Sequence, residues 1–245
     1  TLLPSGKVLA VGGHVDGADS AEIYDPVSSS WTVVASPVHG RVAHTATLLE
    51  SGNVLVVGGS LSPQSAEIYD PLTNTWSAVS PPSTGRYFHT ATLLPSGKVM
   101  IAGGRNAASA SLSSIEIFDP QTGHWLSAQN MSKSRYLHTA TLLDSGDVLI
   151  VAGYGSNGYI SSVDLYDPNL GTISMMPNLS VARSSHTATK LPTGEVVIIG
   201  GANPQALVNV DIFDPVIQAW STGGDLDVAR ASHSSVLRGA GDLLV

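Results

Sequence analysis

The chain has 245 residues, of which 42% are apolar and only 12% charged, and its formal net charge is −8. A negative balance argues against nucleic acid and anionic membranes as partners, because both are bound by basic residues that neutralise phosphate. The lack of Cys excludes disulfides, thiolate metal sites and a cysteine nucleophile, and the lack of an apolar run of roughly 20 residues argues against membrane insertion.

One series of motifs recurs five times. It consists of Arg-x-x-His, a turn glycine, a Gly-Gly doublet, an acidic-x-aromatic-Asp-Pro phrase and a Trp. The fourth copy departs from it at Ala152, in the doublet, and at Ile173, in the Trp position. Only the segment after the doublet varies in length, and its five copies are residues 14–20, 60–65, 105–114, 154–162 and 202–209.

Each copy is predicted to form four short strands. In the second copy, residues 44–49 alternate, a Ser-Gly turn follows, and the apolar run 54–57 is typical of a strand buried on both faces. Residues 66–69 alternate up to a stop at Asp-Pro, and residues 76–79 supply the fourth strand. No helical periodicity appears. Four strands in a repeat of roughly 45 residues indicate an all-β protein made of propeller blades.

These motifs resemble kelch repeats. Their amino-acid sequences are most similar to those of secreted microbial kelch proteins and of the propeller domain of galactose-oxidase-like enzymes. The resemblance implies a kelch-type β-propeller with five four-stranded blades in one domain, 1–245. Both ends fall inside a repeat, so we expect five blades of a six- or seven-bladed propeller, the alternative being a closed ring of five. The expected blades are residues 1–37, 38–82, 83–131, 132–180 and 181–224, with partial strands of a further blade in 228–245.

Residues present in every copy are most simply explained by a structural role that every blade shares. We therefore expect each repeated Arg to meet a carboxylate of the acidic-x-x-Asp phrase. In the alternative, the arginines ring one mouth of the central channel and attract an anion. These arginines are Arg41, Arg86, Arg135, Arg183 and Arg230.

The repeated histidines lie one per blade. A metal needs ligands within about 2 Å of one point, which single histidines on a wide ring do not give. We therefore expect no metal site and no cofactor. The five histidines are His44, His89, His138, His186 and His233.

The variable loops and the Trp-to-Arg connectors should share one face of an up-and-down blade, here called the loop-rich face. Insertions confined to one face of a repeat protein usually mark its binding face, although ordinary solvated loops would look the same. Tyr, Asn, Ser and Gly suit polar recognition, which predicts a non-catalytic module that binds a protein or a glycan. The copy-specific candidates are Arg105, Asn106, Tyr154, Asn157, Tyr159, Asn203, Gln205, Tyr87, Phe88 and Tyr136.

Two other functions stay open. The resemblance to galactose-oxidase-like enzymes implies a copper site of two Tyr and two His, with one Tyr crosslinked to a Cys. This chain has no Cys, so such an enzyme would need catalytic residues partly outside it, and none is assigned here. The third possibility is a purely structural cell-surface repeat. Two potential N-glycosylation sites, at Asn130 and Asn178, favour an extracellular or cell-surface location over a cytoplasmic one.

Overall fold

The computed structural model of the chain describes residues 1–13, 19–239 and 241–245, so most of the variable segment 14–20 lies outside the described residues. Every regular element in the described ranges is a β-strand. The strands form four four-stranded antiparallel sheets, one three-stranded sheet and one two-stranded sheet. In the three-stranded sheet, an isolated bridge between Leu2 and Val8 extends the pairing on the side of the first strand. The predicted all-β architecture of four-stranded repeats is confirmed.

The strands of the first three sheets are β1 (Val8–Val11), β2 (Ala21–Asp25) and β3 (Ser30–Val33); β4 (Thr45–Leu48), β5 (Val54–Val57), β6 (Ala66–Asp70) and β7 (Thr75–Val79); and β8 (Thr90–Leu93), β9 (Val99–Ala102), β10 (Ile115–Asp119) and β11 (His124–Ser127). Those of the other three are β12 (Thr139–Leu142), β13 (Val148–Gly155), β14 (Gly158–Asp167) and β15 (Thr172–Met176); β16 (Thr187–Lys190), β17 (Val196–Ile199), β18 (Val210–Asp214) and β19 (Ala219–Thr222); and β20 (Val236–Leu237) with β21 (Leu243–Leu244). Within each sheet, strands that are consecutive along the chain are neighbours.

The chain divides into two compact units. Unit 1 comprises residues 1–110 and 116–127, and unit 2 comprises residues 111–115 and 128–245. In unit 1, β4 of the second blade lies beside β8 of the third, and in unit 2, β12 of the fourth lies beside β16 of the fifth. The first strand of each of these blades is therefore the one nearest the first strand of its neighbour.

The core of each unit lies between neighbouring blades. In unit 1, the apolar strand β5 is buried along its whole length and packs against β9 and Phe118 of the next blade. In unit 2, residues of β13 pack in the same way against those of β17, together with Phe213. Because both faces of each second strand meet apolar side chains, these strands are continuous apolar runs instead of alternating ones.

The tryptophans also join neighbouring blades. Trp76 Nε1 donates to the carbonyl of Ala35, 2.6 Å away in the preceding blade, and Trp220 Nε1 donates to that of Pro177, 2.8 Å away. The Trp76 ring lies 4.9 Å from the Tyr69 ring of its own blade, in a tilted arrangement. Each such Trp adds apolar contact at the outer part of the wedge between two sheets.

The Gly-Gly doublet is required where the next blade approaches most closely. Gly58 has φ +66°, and a Cβ there would lie 2.2 Å from the carbonyl oxygen of Arg86. The N–H of Gly59 donates to that same oxygen at 3.0 Å. In the fourth blade, Ala152 takes the first position with φ 57°, and the register of β13 shifts between Val151 and Gly153. The pairing of β13 with β14 is thus irregular at the position where Ala152 has a Cβ that the glycine of the other copies lacks.

The fourth blade differs from the expectation of a variable loop over 154–162. Strands β13 and β14 continue to Gly155 and Gly158, which leaves only a two-residue turn between them. Tyr154 and Tyr159 face each other across this extension. An aromatic cross-strand pair and a glycine with φ +102° at position 158 explain why the segment forms a hairpin.

Candidate functional site

A layer of buried arginines lies at the base of the loop-rich face in each unit. Arg41, Arg86, Arg135 and Arg183 are fully buried, and each Nη2 donates to an acidic residue of its own repeat. The partners are Glu67 at 2.6 Å, Glu116, Asp164 at 2.8 Å and Asp211 at 2.6 Å. The expected pairing with the acidic-x-x-Asp phrase is confirmed for these four, which we call the arginine layer.

The same carboxylates anchor the connectors. Glu67 accepts the N–H of Val38 at 2.8 Å and that of His39 at 3.2 Å, in addition to Arg41. Burial alone would raise the pKa of Glu67, but the N–H of Val38 and the Arg41 guanidinium outweigh it and lower the pKa. An ionised carboxylate at this position therefore fixes the start of the blade.

The arginine layer leaves no access for an anion from solvent. Nη1 of each Arg donates to the carbonyl of the first doublet residue of its own repeat, for example Arg41 to Gly58 at 2.8 Å. The four guanidinium groups thus join the second and third strands of their own blades to the connector that carries the Arg, and they do not line an open channel mouth. Arg230 differs, because it is partly exposed and donates to the backbone carbonyls of Val228 and Val245.

The repeated histidines join neighbouring blades. His89 Nε2 lies 2.8 Å from Thr45 Oγ1 in unit 1, and His186 Nε2 lies 2.9 Å from Thr139 Oγ1 in unit 2. Burial lowers the pKa of His186 to about 3, with Arg183 and His233 adding to the effect, so its ring is neutral at physiological pH. Within residues 1–13, 19–239 and 241–245, no group of three or more His, Asp and Glu is arranged to hold a metal ion.

In the third blade, the candidate residues form an aromatic and basic group in unit 1. Tyr87 and Arg105 exchange backbone hydrogen bonds of 3.0 and 2.8 Å, which tie the connector to the variable loop. The Arg105 guanidinium carbon lies 6.0 Å from the centre of the Tyr87 ring, and Phe88 packs beside that ring at 5.3 Å while 41% exposed. Asn106 has a local role, since its Oδ1 accepts the N–H of Ala110.

In the fourth blade, three tyrosines form a cluster in unit 2. Tyr136 and Tyr154 exchange backbone hydrogen bonds of 2.9 and 2.8 Å, and their rings lie 5.6 Å apart. The Tyr159 ring meets that of Tyr154 edge-on at 4.9 Å. We call these three residues the tyrosine cluster.

A cavity of about 330 Å³ lies beside the tyrosine cluster. Tyr159 lines it, together with Lys133, Ser134 and Asn157, and the glycines of the hairpin complete its wall. Hydroxyl, amide and ammonium groups therefore surround one aromatic ring. A cavity of this composition can hold a polar ligand group against an aromatic face.

The candidates of the fifth blade, Asn203 and Gln205, lie in a loop whose backbone bridge carries no aromatic residue. Ser184 and Ala202 pair as Tyr136 and Tyr154 do, but neither carries a ring. The N–H of Asn203 donates to the carbonyl of Gln205 at 2.9 Å, which closes a short exposed loop. In unit 2 the structure thus groups the tyrosines with Asn157 and leaves the other two candidates in a different loop.

Sequence reasoning missed two features of this face. Lys133 was not singled out, although it is the only Lys or Arg in the five Trp-to-Arg connectors, a signal readable from the repeat alignment. The residue before each repeated His has a left-handed φ of 53–57°. At Phe88, Ser185 and Ser232 its N–H donates to the carbonyl of its counterpart in the preceding blade, as from Phe88 to Ala43 at 3.0 Å. No glycine marks that position, so this left-handed backbone conformation could not be predicted from the sequence.

Comparisons with known proteins agree on the repeat. Residues 43–245 match the family model described as the KLHDC2/KLHL20/DRC7 Kelch-repeats domain, and residues 4–37 match the Kelch motif. This chain belongs to the kelch-repeat family. Its fold is similar to the solved structure titled "Structure of YjhT", with a TM-score of 0.74 at 17% identity over 95% of this chain and 85% of that one. No curated protein matches the chain.

Membership of the family establishes the fold. The chain is a kelch-type β-propeller module, and kelch propellers typically bind proteins. In the described residues we find no helix with the length and hydrophobicity that a membrane crossing requires.

Proposed function

We propose that this kelch chain is a non-catalytic binding module that holds a protein or glycan ligand on its loop-rich face. Of the two ligand classes, a protein is favoured, because kelch propellers typically bind proteins. The observation that carries the proposal is the tyrosine cluster beside the cavity of the fourth blade.

The tyrosine cluster is held in place before any ligand arrives. Backbone pairs fix Tyr136 to Tyr154, and the hairpin register fixes Tyr154 to Tyr159. Each ring is only partly buried, so it offers contact area to a ligand. Tyr side chains provide a large amphipathic surface at low conformational-entropy cost, which makes them frequent anchors in binding surfaces.

The neighbouring groups suit contact better than proton transfer. His89 and His186 each place Nε2 in a hydrogen bond to a Thr of the preceding blade, and burial holds the pKa of His186 far below neutrality. The polar side chains that line the cavity beside Tyr159 are Lys133, Ser134, Ser156 and Asn157. These residues can donate and accept hydrogen bonds at the edge of a ligand that lies on the tyrosines.

A variant of the loop-rich face tests the proposal. The triple change Arg105→Ala, Tyr154→Ala and Tyr159→Ala removes the stacked guanidinium and two rings of the hairpin. The ligands are peptides selected for binding from a displayed library, or glycans selected on an array. We expect the affinity of the triple variant for them to be at least tenfold weaker than that of the wild type. Val27→Ser with Leu72→Ser is the matched control, because these side chains are 94% and 93% exposed on Asp-Pro turns at the other end of the blades.

Each result of that experiment has a clear meaning. Circular dichroism must show that the triple variant keeps its β structure, so that lost binding reports on the surface. Unchanged binding in a folded triple variant would contradict the proposal. For the oxidase alternative, the full chain with added copper is assayed for peroxide production on sugars and alcohols, and robust turnover would contradict a non-catalytic role.

A further inference from the structure

A second cavity lies at the other end of the blades, away from the loop-rich face. It is found in unit 1 between the second and third blades and has a volume of about 400 Å³. Leu49 and Ile68 form apolar parts of its wall, and Asn53 and Gln121 contribute amides. We call it the Ser-Gly cavity, because Ser-Gly turns of both blades line it.

The charges of the Ser-Gly cavity do not balance. Lys98 and Asp119 line it and pair with each other at 3.1 Å. Glu50 also lines it, and within the described residues its carboxylate has neither a hydrogen bond nor an ion pair. Its Oε2 lies over the turn of the next blade, 2.9 Å from where a Cβ of Gly97 would stand. Glu50 is exposed, so its negative charge is open to a ligand and has no counterion in the part of the chain that the structure describes.

The junction of the fourth and fifth blades shows how the same position is neutralised. Asp144 occupies the place of Glu50 in the repeat, and its Oδ2 lies 3.2 Å from where a Cβ of Gly194 would stand. The ammonium of Lys190 pairs with this carboxylate. In the third blade the residue that corresponds to Lys190 is Leu93, which carries no charge.

We propose that the Ser-Gly cavity binds a lysine side chain of a partner polypeptide. The ligand ammonium pairs with Glu50, as Lys190 pairs with Asp144 inside the chain. The methylene stem of the ligand lies along Leu49 and Ile68, since lysine stems cover apolar surface while the charged end stays at a polar edge. The net charge of −8 also favours a basic partner.

Nuclear magnetic resonance titration of the full chain tests this binding directly. The probe is N-acetyl-lysine methylamide, and N-acetyl-norleucine methylamide is the neutral control with an apolar side chain of similar length. We expect saturable shifts in the amide signals of residues 49–53, 96–98 and 119–121 with the lysine probe, and weaker ones with the norleucine probe. No saturable shift, or equal binding of the two probes, would overturn the proposal.

Substitutions identify the carboxylate and its internal counterpart. Glu50→Gln should weaken binding of the lysine probe roughly three- to fivefold, as expected for loss of one exposed charge pair. Asp144→Asn is the matched control and should leave binding unchanged, because Lys190 already occupies that carboxylate. Unchanged binding in the Glu50→Gln variant would rule out the assigned role of Glu50.

Exchanging the residues between junctions gives the sharpest test. Leu93→Lys should place an ammonium against Glu50 and weaken the probe at least twofold by internal competition. Lys190→Leu should free Asp144 and produce new probe-dependent shifts at residues 144–146 and 193–195. If neither folded variant behaves in this way, the comparison of the two junctions is wrong. If Leu93→Lys does not fold, Lys190→Leu and Glu50→Gln still decide the question.

Discussion

The arginine layer and the loop-rich face belong to the same blades, but the side chains of the first are the same in four blades and those of the second differ from blade to blade. In the arginine layer, four blades repeat one arrangement, a buried guanidinium between a carboxylate and a doublet carbonyl. At the loop-rich face, equivalent backbone bridges join different residues in successive blades, so the same backbone arrangement carries different side chains. The pairs are Tyr87 with Arg105, Tyr136 with Tyr154, and Ser184 with Ala202. Repetition therefore marks what the fold requires, and variation on a constant backbone marks where a ligand can be selected.

The largest effect is expected from breaking the arginine layer. Asp164→Ala removes the carboxylate that meets Arg135 at 2.8 Å, and both side chains are fully buried. An unpaired guanidinium would remain in the interior, so the free energy of unfolding should fall by about 3–5 kcal/mol. Urea denaturation measures the loss. Asp227→Ala, at an exposed connector position, should change stability by less than about 0.5 kcal/mol. A similar small loss for Asp164→Ala would show that the buried ion pair does not stabilise the fourth blade.

The histidines predict how the same layer responds to acid. The pKa of His186 is about 3 in the folded chain because the ring is buried and lies near Arg183 and His233, whereas an unfolded histidine titrates near its model value of 6.5. Below pH 6.5 the unfolded state therefore binds more protons, and stability falls as the pH falls towards 3. The expected slope from this one residue is about 1.4 kcal/mol per pH unit.

A substitution separates this slope from other titrating groups. His186→Gln should lower stability at pH 7 but flatten its dependence between pH 6 and 4, as followed by urea denaturation at each pH. His124→Gln, at an exposed position in β11, should leave the dependence unchanged. Equal slopes for His186→Gln and the wild type would mean that the buried ring is not responsible.

The Gly-Gly doublet should give a smaller loss. Gly58→Ala puts a Cβ 2.2 Å from the carbonyl oxygen of Arg86, so the next blade must shift, at a cost of about 1–3 kcal/mol. Ala152→Gly makes the reverse change where the chain already accommodates a Cβ, and should cost less than about 1 kcal/mol. Thermal denaturation of both variants is compared with Gly224→Ala, where a Cβ would meet no atom within 4 Å. Equal effects at positions 58 and 152 would show that blade contact does not require the doublet.

Repeat spacing predicted the arginine layer well because its parts recur together. An Arg and an acidic residue that keep their places in every copy were expected to meet, and Arg41 and Glu67 do. Repeat spacing gave a wrong prediction where the fourth copy differs in structure from the others. The variable length of residues 154–162 suggested a loop, but the Tyr154–Tyr159 pair builds a hairpin there.

Contacts between blades were the hardest to predict from the sequence. The pairing of Asp144 with Lys190 spans 46 residues and depends on which side chains two neighbouring blades present to each other. A repeat alignment gives equivalent positions in different blades, but it does not give the partner of each position across a blade junction. For the same reason, the sequence does not show that the carboxylate of Glu50 has no counterion among the described residues, whereas that of Asp144 pairs with Lys190.

The smallest effect tests whether the threonine–histidine contacts add to the arginine layer. Thr45→Val removes the hydroxyl that lies 2.8 Å from His89 Nε2 and keeps the shape of the side chain. One lost hydrogen bond inside the blade junction should lower the free energy of unfolding by about 1 kcal/mol. Thr193→Val removes a hydroxyl whose bond to Glu195 is exposed, and should have a smaller effect because water replaces the partner. If the two variants lose equal stability in urea, the threonine–histidine contacts do not strengthen the junction, and the apolar core, the tryptophans and the Gly-Gly doublet join neighbouring blades without them.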